Sequence, residues 1–444
     1  MKKLYIIMML VMTGLMAEAQ TSVWNGSRKL WTRGEGTESS PYLIETAENL
    51  AFFAYMVNTG FETNDMYFEL TTDIDLNGSE GLPWIPIGLG NNFFYEDGCE
   101  RVPEFSAPFN SFKGYFDGGG HKIYNIYIKD VSFGGLFGSV SEPCEIKNIS
   151  VESGYIQNVG YGGGIVGKCN YNVLISNCSN SADISGDYAG GILGYGNGTI
   201  IQCFNSGYLK GNAAAGGISG MMAKEIIECF NTGKVVAYSG GCGGIIGSTT
   251  RDVAIENCYN MGRISGSAQY SGGIGGMVVK GLVKNCYNVG DIVNSEGTAG
   301  AILGSDFSGT ADNIYYLNSC GSEGIGVAMS NVEMRDEAFV SVLNKDTNVW
   351  GFDKNNVNEG YPVLESFHLS TTEMTTAKMS VYPNPAKGDF TVEGTGQLIV
   401  TNVLGQKIME KAIEERYNLT LPKGVYLLRL TDGNNSATRK VVVY

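Results

Sequence analysis

One short pattern recurs along the middle of the chain and limits what the chain can fold into. It is a Gly-Gly pair followed by Ile or Leu, and successive copies lie 26 to 29 residues apart. The seven copies, the last with Ala in place of the second Gly, end at Leu136, Ile165, Ile192, Ile218, Ile245, Ile274 and Ile302. Self-similarity at a period of this size is typical of repeat proteins. We therefore expect one supersecondary unit to be stacked seven times.

A column of cysteines keeps the same interval. Cysteine occurs in five successive repeats, at Cys178, Cys203, Cys229, Cys258 and Cys286, and isoleucine takes the slot at the two ends, at Ile149 and Ile314. Asparagine follows two residues after each cysteine, at Asn180, Asn205, Asn231, Asn260 and Asn288. Since stacking places equal positions above one another, we predict a buried cysteine ladder and a hydrogen-bonded asparagine ladder at a turn.

The apolar residues within each repeat favour strands over helices. Each unit has two or three short apolar runs separated by Gly and Asn, and no stretch of helical period. Glycine, at 63 of 444 residues, is about twice as frequent as the usual ~7%, which agrees with many tight turns. The sequence predicts an all-β chain whose main domain is a right-handed parallel β-helix. Thr46 is the predicted N-cap of a short amphipathic helix that ends near Asn58 and covers one end of the solenoid.

The cysteine column admits several chemical readings. A zinc site needs four converging ligands, commonly in close C-x-x-C pairs, and no such pair occurs. Disulfides between vertical neighbours are possible in an exported chain, but five thiols in register cannot all pair. We therefore predict stacked free thiols. Pairing stays open for the cysteines outside the column, at Cys99, Cys144, Cys169, Cys242 and Cys320.

The N-terminus has the features of a secretory signal peptide over residues 1–19. Lys2 and Lys3 precede an apolar stretch, and Ala17-Glu18-Ala19 is a small-residue cleavage pattern. The apolar stretch is too short to span a bilayer, so the sequence predicts an exported protein. A formal net charge of −15 makes nucleic acid an unsuitable partner, because an acidic surface repels the phosphate backbone.

The C-terminal part differs from the repeats. A polar Ser/Thr linker over 369–378 precedes residues 379–444, whose short alternating strands predict a small β-sandwich. This part resembles the type A C-terminal sorting domain of the Bacteroidetes type IX secretion system. The matching residues are Tyr382, Pro383, Asn384, Pro385, Gly424, Tyr426 and Lys440. The resemblance implies export by the type IX machinery, removal of the tail and attachment to surface lipopolysaccharide.

The repeats themselves resemble the GLUG repeat of bacterial surface proteins, which carries the same "N-C-Y-N-x-G" and "GG-[IL]-x-G" elements. Segments before the repeats, such as "YFELTTDIDLNG" and "FKGYFDGGGHKIYNIYI", also fit that family, and the resemblance covers residues of about 30 to 365. It implies an N-terminal cap region over 20–130, repeats over 131–318 and a C-terminal cap over 319–368. It also implies an adhesin-like surface scaffold, although such repeats occur in some proteases as well.

Two groups of residues are candidate sites. The residue after each cysteine, or after the isoleucine at the C-terminal end of the column, is aromatic in a column of Phe204, Phe230, Tyr259, Tyr287 and Tyr315. If the cysteines point inward, this column points outward and presents rings to a sugar or peptide, unless a neighbouring loop covers it or it takes the inward place of the cysteines. Asp73, Asp75 and Asn77 match the first half of a calcium loop, but Trp84 stands where the bidentate Glu belongs. A structural strand is the alternative reading.

No catalytic constellation or cofactor motif emerges from the sequence. We therefore expect a non-enzymatic binding protein of the cell surface that recognises a glycan or a host protein. A carbohydrate-active β-helix enzyme is the alternative, and it requires two carboxylates about 5–10 Å apart in one cleft. A structural spacer of the surface layer is the third hypothesis.

Overall fold

A computed structural model describes residues 21–89, 110–369, 380–402, 407–414, 416–432 and 435–443. Contacts divide the chain into two compact units after Leu364. The predicted signal peptide, Cys99 and residues 370–378 of the predicted linker lie outside the described residues.

The larger sheet of the first unit consists of three parallel ladders, each with one strand per turn. The first contains Phe137–Lys147, Val166–Cys169, Leu193–Tyr195, Ser219–Met221, Ile246–Thr249 and Gly275–Val278. The second contains Tyr42–Ile44, Tyr67–Leu70, Phe112–Asp117, the end of Phe137–Lys147, Val173–Ser176, Thr199–Ile201, Glu225–Ile227, Val253–Glu256, Gly281–Asn288 and Thr310–Leu317. The third contains Ser22–Val23, Ile74–Asp75, Lys122–Tyr124, Ser150–Val151, Ser179–Asn180, Phe204–Asn205, Phe230–Asn231, Tyr259–Asn260, the ends of Gly281–Asn288 and Thr310–Leu317, and Val327–Met329.

The second sheet of the solenoid has two further parallel ladders. One contains Ile126–Lys129, Gly154–Gly163, Asp183–Gly190, Leu209–Gly216, Val235–Ala237, Ile264–Gly266 and Ile292–Asn294. The other contains Phe133–Gly134, the ends of the three longest of those strands, Gly241–Gly243, Tyr270–Gly272 and Thr298–Gly300.

Together these ladders form a parallel β-solenoid of about 9 turns, which confirms the predicted fold. Equal positions of the repeat are paired in register, as for Ile200 with Ile226 and for Ile226 with Ile255. The inward aliphatic side chains are fully buried and form one continuous core. The parallel ladders begin at residue 22, so the solenoid already includes most of the segment before the repeats.

The cysteine ladder lies inside this core. All nine described cysteines are free and buried, and those of the ladder lie directly above one another. The Cys203 thiol donates to the carbonyl oxygen of Ile201 at 3.2 Å, and the Cys203 sulfur accepts from the Cys178 backbone N–H at 3.4 Å. Burial raises the pKa of the Cys178 and Cys258 thiols well above its usual value. The prediction of stacked free thiols is therefore confirmed, and packing explains their recurrence.

The asparagine ladder is also confirmed. Each side-chain amide donates to the side-chain oxygen of the next asparagine at 2.8 Å, from Asn180 through Asn205, Asn231 and Asn260 to Asn288. The same amide groups donate to the carbonyl oxygen two residues ahead, which closes the turn. This ladder explains the recurring glycine pair, because a Cβ on Gly217 would lie 2.5 Å from the Cβ of Asn231 and 2.0 Å from the Gly244 carbonyl oxygen.

Short helical elements lie at the two ends of the solenoid. The helix Ala47–Asn58 is capped by Thr46, whose side chain accepts from the Asn49 N–H as predicted. Its Phe53 ring stacks on Phe68 with centroids 4.3 Å apart. At the other end lie the helices Asn331–Met334 and Glu337–Leu343 and the hairpin Trp350–Gly351 with Val363–Leu364. No helix among the described residues has the length and apolar character needed to cross a membrane.

The second unit begins with the helix Glu365–Leu369 and continues as two sheets that share one strand. The strands are Ser380–Lys387, Asp389–Glu393, Gly396–Asn402, Lys407–Ile413, Arg416–Thr420, Gly424–Asp432 and Asn435–Val443. Phe390, Val392 and Leu419 of one sheet and Leu398, Val400 and Leu428 of the other belong to a single buried core. This arrangement is the predicted small β-sandwich.

Candidate ligand-binding groove

The predicted aromatic column exists as a stack of rings. Neighbouring centroids lie 4.9 Å apart from Phe204 to Phe230, 4.8 Å to Tyr259 and 5.0 Å to Tyr287, with interplanar angles of 2°, 4° and 7°. Parallel pairing in register places one ring on each turn of the ladder. Tyr315 lies on the next turn, and its ring packs edge-on against Phe339 at 5.1 Å.

Part of this column is not available to a ligand. Tyr259 is 3% exposed and Tyr287 is fully buried, because residues 339–362 of the C-terminal segment cover them. Trp350 lies 6.0 Å from the Tyr259 ring and 5.5 Å from the Tyr287 ring, measured between centroids. At these two tyrosines the column is therefore covered, which is the alternative that the sequence left open, and no open binding face exists there. Their stack serves as the docking surface of the chain's own cap.

The half calcium loop has a structural role. One side-chain oxygen of Asp73 accepts from the Lys122 N–H at 3.1 Å and lies 3.0 Å from His121 Nδ1. Asp75 accepts from the Asn77 N–H at 2.7 Å and from the Asn125 side-chain amide at 2.9 Å. Within the described part of the chain, no three His, Cys, Asp or Glu side chains converge as a metal site would require.

The predicted sorting residues lie on three adjacent strands of the second unit. Tyr382, Pro383, Asn384 and Pro385 belong to Ser380–Lys387, which pairs with Asn435–Val443. That strand carries Lys440, and it pairs in turn with the strand of Gly424 and Tyr426. The Tyr426 ring is buried, and its hydroxyl donates to the Pro422 carbonyl oxygen at 2.9 Å.

A groove that the sequence did not reveal lies where the second sheet meets the larger sheet. Phe133, Tyr161 and Tyr188 occupy equal positions on three consecutive turns of the second sheet. The Tyr161 ring stacks on Phe133 at 5.6 Å, lies 5.4 Å from Tyr188, and stacks across the corner on Tyr195 at 4.6 Å. Phe133, Tyr161 and Tyr188 line a cavity of about 860 Å³, which we call the aromatic groove.

Polar and charged groups complete the lining of the aromatic groove. Lys168, Lys210, Asn212, Asp130 and Asp187 all contribute to it. Lys168 Nζ lies 5.0 Å from the centre of the Phe133 ring, a cation–π distance. Asp187 is exposed and accepts a hydrogen bond of 3.3 Å from the Asn212 side-chain amide. The groove therefore combines ring faces with hydrogen-bonding groups of both signs.

The raised pKa of Tyr161 favours a hydroxyl that can donate a hydrogen bond. Partial burial raises the pKa of this tyrosine, and the neighbouring Tyr195, Tyr188 and Asp187 raise it further. The hydroxyl therefore stays protonated at neutral pH and keeps its ability to donate. Half-buried rings with a polar edge are suited to a ligand that has both apolar faces and hydroxyl groups.

The sequence contained a signal for this groove. Phe133 stands directly before a repeat's glycine pair, and Tyr161 and Tyr188 stand two residues before theirs. The corresponding slot on the next three turns holds Ala214, Gly241 and Tyr270. Aromatic residues therefore fill this slot on only three consecutive turns, whereas the column after the cysteines is longer. Lys168 and Tyr195 belong to a different ladder, and only the turn of the chain between the sheets brings them to the same place.

Comparison with known proteins identifies the second unit. Residues 380–444 match the family described as the secretion system C-terminal sorting domain. This type IX sorting domain indicates export across the outer membrane to the cell surface or the exterior. A β-solenoid followed by such a domain defines an exported protein that interacts with the type IX secretion machinery.

Two further similarities extend beyond the second unit. A stretch of 140 residues is 31% identical to a protein of Evansella cellulosilytica named as a Gly-rich membrane protein, and the match covers 30% of this chain and 14% of that protein. A crystal structure from Bacteroides ovatus, named as an immunoglobulin A1 protease, has a TM-score of 0.47 at 23% identity. That alignment covers 76% of this chain and 95% of the Bacteroides chain. These similarities assign no activity to the present chain.

Proposed function

We propose that this chain is a non-enzymatic, adhesin-like protein of the bacterial surface that binds glycans in the aromatic groove. The observation that carries the proposal is the set of adjoining rings of Phe133, Tyr161 and Tyr188 in the groove lining, bordered by Asn212 and Asp187. The apolar face of a sugar ring packs on an aromatic face, while its hydroxyls reach the amide and carboxylate groups. The proposal includes a secretory signal over residues 1–19 and assigns the repeats to the GLUG class of surface proteins.

The rigidity of the scaffold supports binding. The rings stand on a ladder of parallel strands, so little side-chain or loop ordering is needed when a ligand arrives, and the entropic cost of binding is low. Export across the outer membrane brings this surface into contact with glycans outside the cell.

A carbohydrate-active enzyme is the second candidate, because two carboxylates, Asp130 and Asp187, line the same groove. A general acid needs a raised pKa, which usually comes from burial or a close like charge. The Asp130 side chain is 44% exposed and lies 3.8 Å from Lys129, and Asp187 is exposed as well. Neither carboxylate has the burial or the close like charge that a general acid needs, which favours binding over hydrolysis.

A glycan array probed with the purified full-length chain tests the proposal. We expect binding to at least one glycan, and we expect Tyr161→Ala and Tyr188→Ala to weaken it by about tenfold or more, since each ring contact contributes about 0.5–1.5 kcal/mol beyond its buried area. Tyr171→Ala is the matched control, because Tyr171 is 52% exposed and does not line the groove. Binding that survives both groove substitutions would refute the site.

The same array separates the remaining hypotheses. Glycan cleavage that is lost in Asp130→Asn or Asp187→Asn would establish the enzyme instead. A correctly displayed chain that binds no glycan would favour a structural spacer.

A further inference from the structure

The lysines of the repeats fall into two groups. Four of the seven lysines between residues 131 and 318 have a carboxylate within 4.0 Å, and they are Lys147, Lys224, Lys280 and Lys284. The other three, Lys168, Lys210 and Lys234, form no ion pair with any described residue. Acidic residues outnumber basic ones in this chain, whose formal net charge is −15, so lysines without a carboxylate partner are unexpected.

These three lysines share a second property, which is an aromatic partner. Lys168 Nζ lies 5.0 Å from the centre of the Phe133 ring, Lys210 Nζ 5.4 Å from that of Tyr238, and Lys234 Nζ 5.7 Å from that of Tyr208. Tyr238 is 49% exposed and Tyr208 is 36% exposed. These two pairs therefore present a ring and a positive charge together at the surface, whereas the Phe133 ring beside Lys168 is buried, with 9% of its surface exposed.

The pairs follow one face of the solenoid. Lys210 lines the aromatic groove, and its partner Tyr238 follows the next strand of the same ladder, Val235–Ala237. From the turn of Phe133 to the turn of Tyr238 the chain advances four strands, or roughly 19 Å at a strand spacing of about 4.8 Å. The groove and the two outer pairs thus form one continuous track, long enough for several units of a polymer.

The carboxylates on this face already have partners. Asp130 lies 3.8 Å from Lys129, Asp187 accepts from the Asn212 amide, and Asp183 accepts from the Tyr208 N–H at 3.2 Å. Asp183 and Asp187 are thus hydrogen-bonded to amide N–H groups. Lys168, Lys210 and Lys234 have no described oppositely charged partner. Negative groups on a ligand would supply it.

We propose that the ligand of this track is an anionic glycan chain. Its sugar rings pack on Tyr161, Tyr188 and Tyr238, and its carboxylate or sulfate groups lie against Lys168, Lys210 and Lys234. This inference rests on the proposed function and specifies the charge of the glycan.

Binding to matched pairs of polysaccharides tests the inference. The probes are hyaluronan, alginate, polygalacturonate and chondroitin sulfate, each with a counterpart whose acidic groups are esterified, reduced or removed, and polyglutamate as an anion without sugar rings. The full-length chain should bind at least one anionic polysaccharide, prefer it to its neutral counterpart and to polyglutamate, and lose affinity as salt rises. The variant K168Q/K210Q/K234Q should bind it roughly three- to hundredfold more weakly, if each charge contributes as an exposed ion pair does.

The control variant is K147Q/K224Q/K280Q, which removes the same number of charges from lysines that already have carboxylate partners. It should bind within about twofold of the unmodified chain, because exposed ion pairs stabilise little. Circular dichroism checks that both variants are folded.

The outcomes distinguish this inference from the proposed function. Equal affinity for charged and neutral members of a pair, unchanged in K168Q/K210Q/K234Q but lost in Tyr161→Ala, would overturn the charge inference and leave glycan binding intact. Equal binding of polyglutamate would overturn the assignment to a glycan. The absence of binding to every polysaccharide, charged or neutral, would overturn both.

Discussion

The hydroxyl of Tyr287 donates a hydrogen bond of 2.6 Å to the carbonyl oxygen of Pro362, 75 residues further along the chain. The Asn358 side-chain amide donates to both oxygens, at 3.1 Å to the Tyr287 hydroxyl and at 2.9 Å to Pro362. Asp353 holds the loop in place by accepting from the backbone N–H groups of Val357, Asn358 and Gly360. A buried polar network thus fastens the C-terminal segment to the end of the aromatic column.

Removing the Tyr287 hydroxyl tests this network. Tyr287→Phe should lower the free energy of unfolding of the solenoid by about 1–3 kcal/mol, because the two buried hydrogen bonds of its hydroxyl are lost while Asn358 still donates to Pro362. Tyr287→Ala should cost about 3–5 kcal/mol, because it also leaves a cavity. Urea titration measures both, with Tyr155→Phe at a 57% exposed site as the control. A Tyr287→Phe variant as stable as that control would show that the hydrogen bonds of this hydroxyl do not contribute to the free energy of unfolding.

Breaking the asparagine ladder at its centre should cost more than breaking it at its end. Asn231→Ala removes hydrogen bonds to Asn205, Asn260 and Gly233, so it interrupts the ladder on both sides and leaves one buried N–H of the Asn205 amide without its acceptor. Each unsatisfied group costs about 1–3 kcal/mol. Asn288→Ala removes the bonds to Asn260 and within its own turn. Chemical unfolding of the two variants compares the costs, and an equal loss would contradict a cooperative ladder.

Stability should fall steeply in alkaline solution. Burial raises the pKa of Tyr259 and Tyr287 in the folded chain, whereas an unfolded tyrosine titrates near pH 10. Above that pH the unfolded state releases protons that the folded state retains, so the contribution of each tyrosine is present below pH 10 and is lost as pH rises. The slope is up to about 1.4 kcal/mol per pH unit for each tyrosine.

The melting temperature between pH 9 and pH 11 checks this dependence. The double variant Y259F/Y287F should lose less stability over this range than the unmodified chain, even though it starts from a lower value. If the melting temperatures of the two proteins fall in parallel with pH, the pKa values of these tyrosines do not differ between the folded and the unfolded state.

Transport across the outer membrane should depend on the second unit. A chain without residues 380–444 should remain in the periplasm, because the sorting domain is absent. Residues 21–364 belong to a separate compact unit, and limited proteolysis of the retained chain checks that this unit is still folded. Protease accessibility on intact cells measures display. As the reciprocal control, residues 380–444 fused to a periplasmic reporter should carry it to the surface, and normal display of the truncated chain would contradict the role of the domain.

Much of the fold follows from the repeat. Because Cys229 and Asn231 recur with their neighbours at one interval, stacking must place each above its copy, and the buried thiols and the amide ladder follow from that register. Gly217 recurs for the same reason, since its turn passes against Asn231. Such contacts join equivalent positions, so the period alone identifies both partners.

The candidate site could not be predicted from the repeat interval alone. The cover over Tyr259 and Tyr287 comes from Trp350 and Pro362, which lie outside the repeats and have no counterpart in any other turn. Tyr161 meets Tyr195 only because the chain turns a corner between two sheets, and the angle of that corner is set by packing around it. The sequence by itself therefore determined the solenoid, its ladders and the sorting domain, since each depends on local pattern or on stacking of identical positions. The tertiary structure decided which aromatic rings are covered and which form a groove, because these contacts join residues that no periodicity relates.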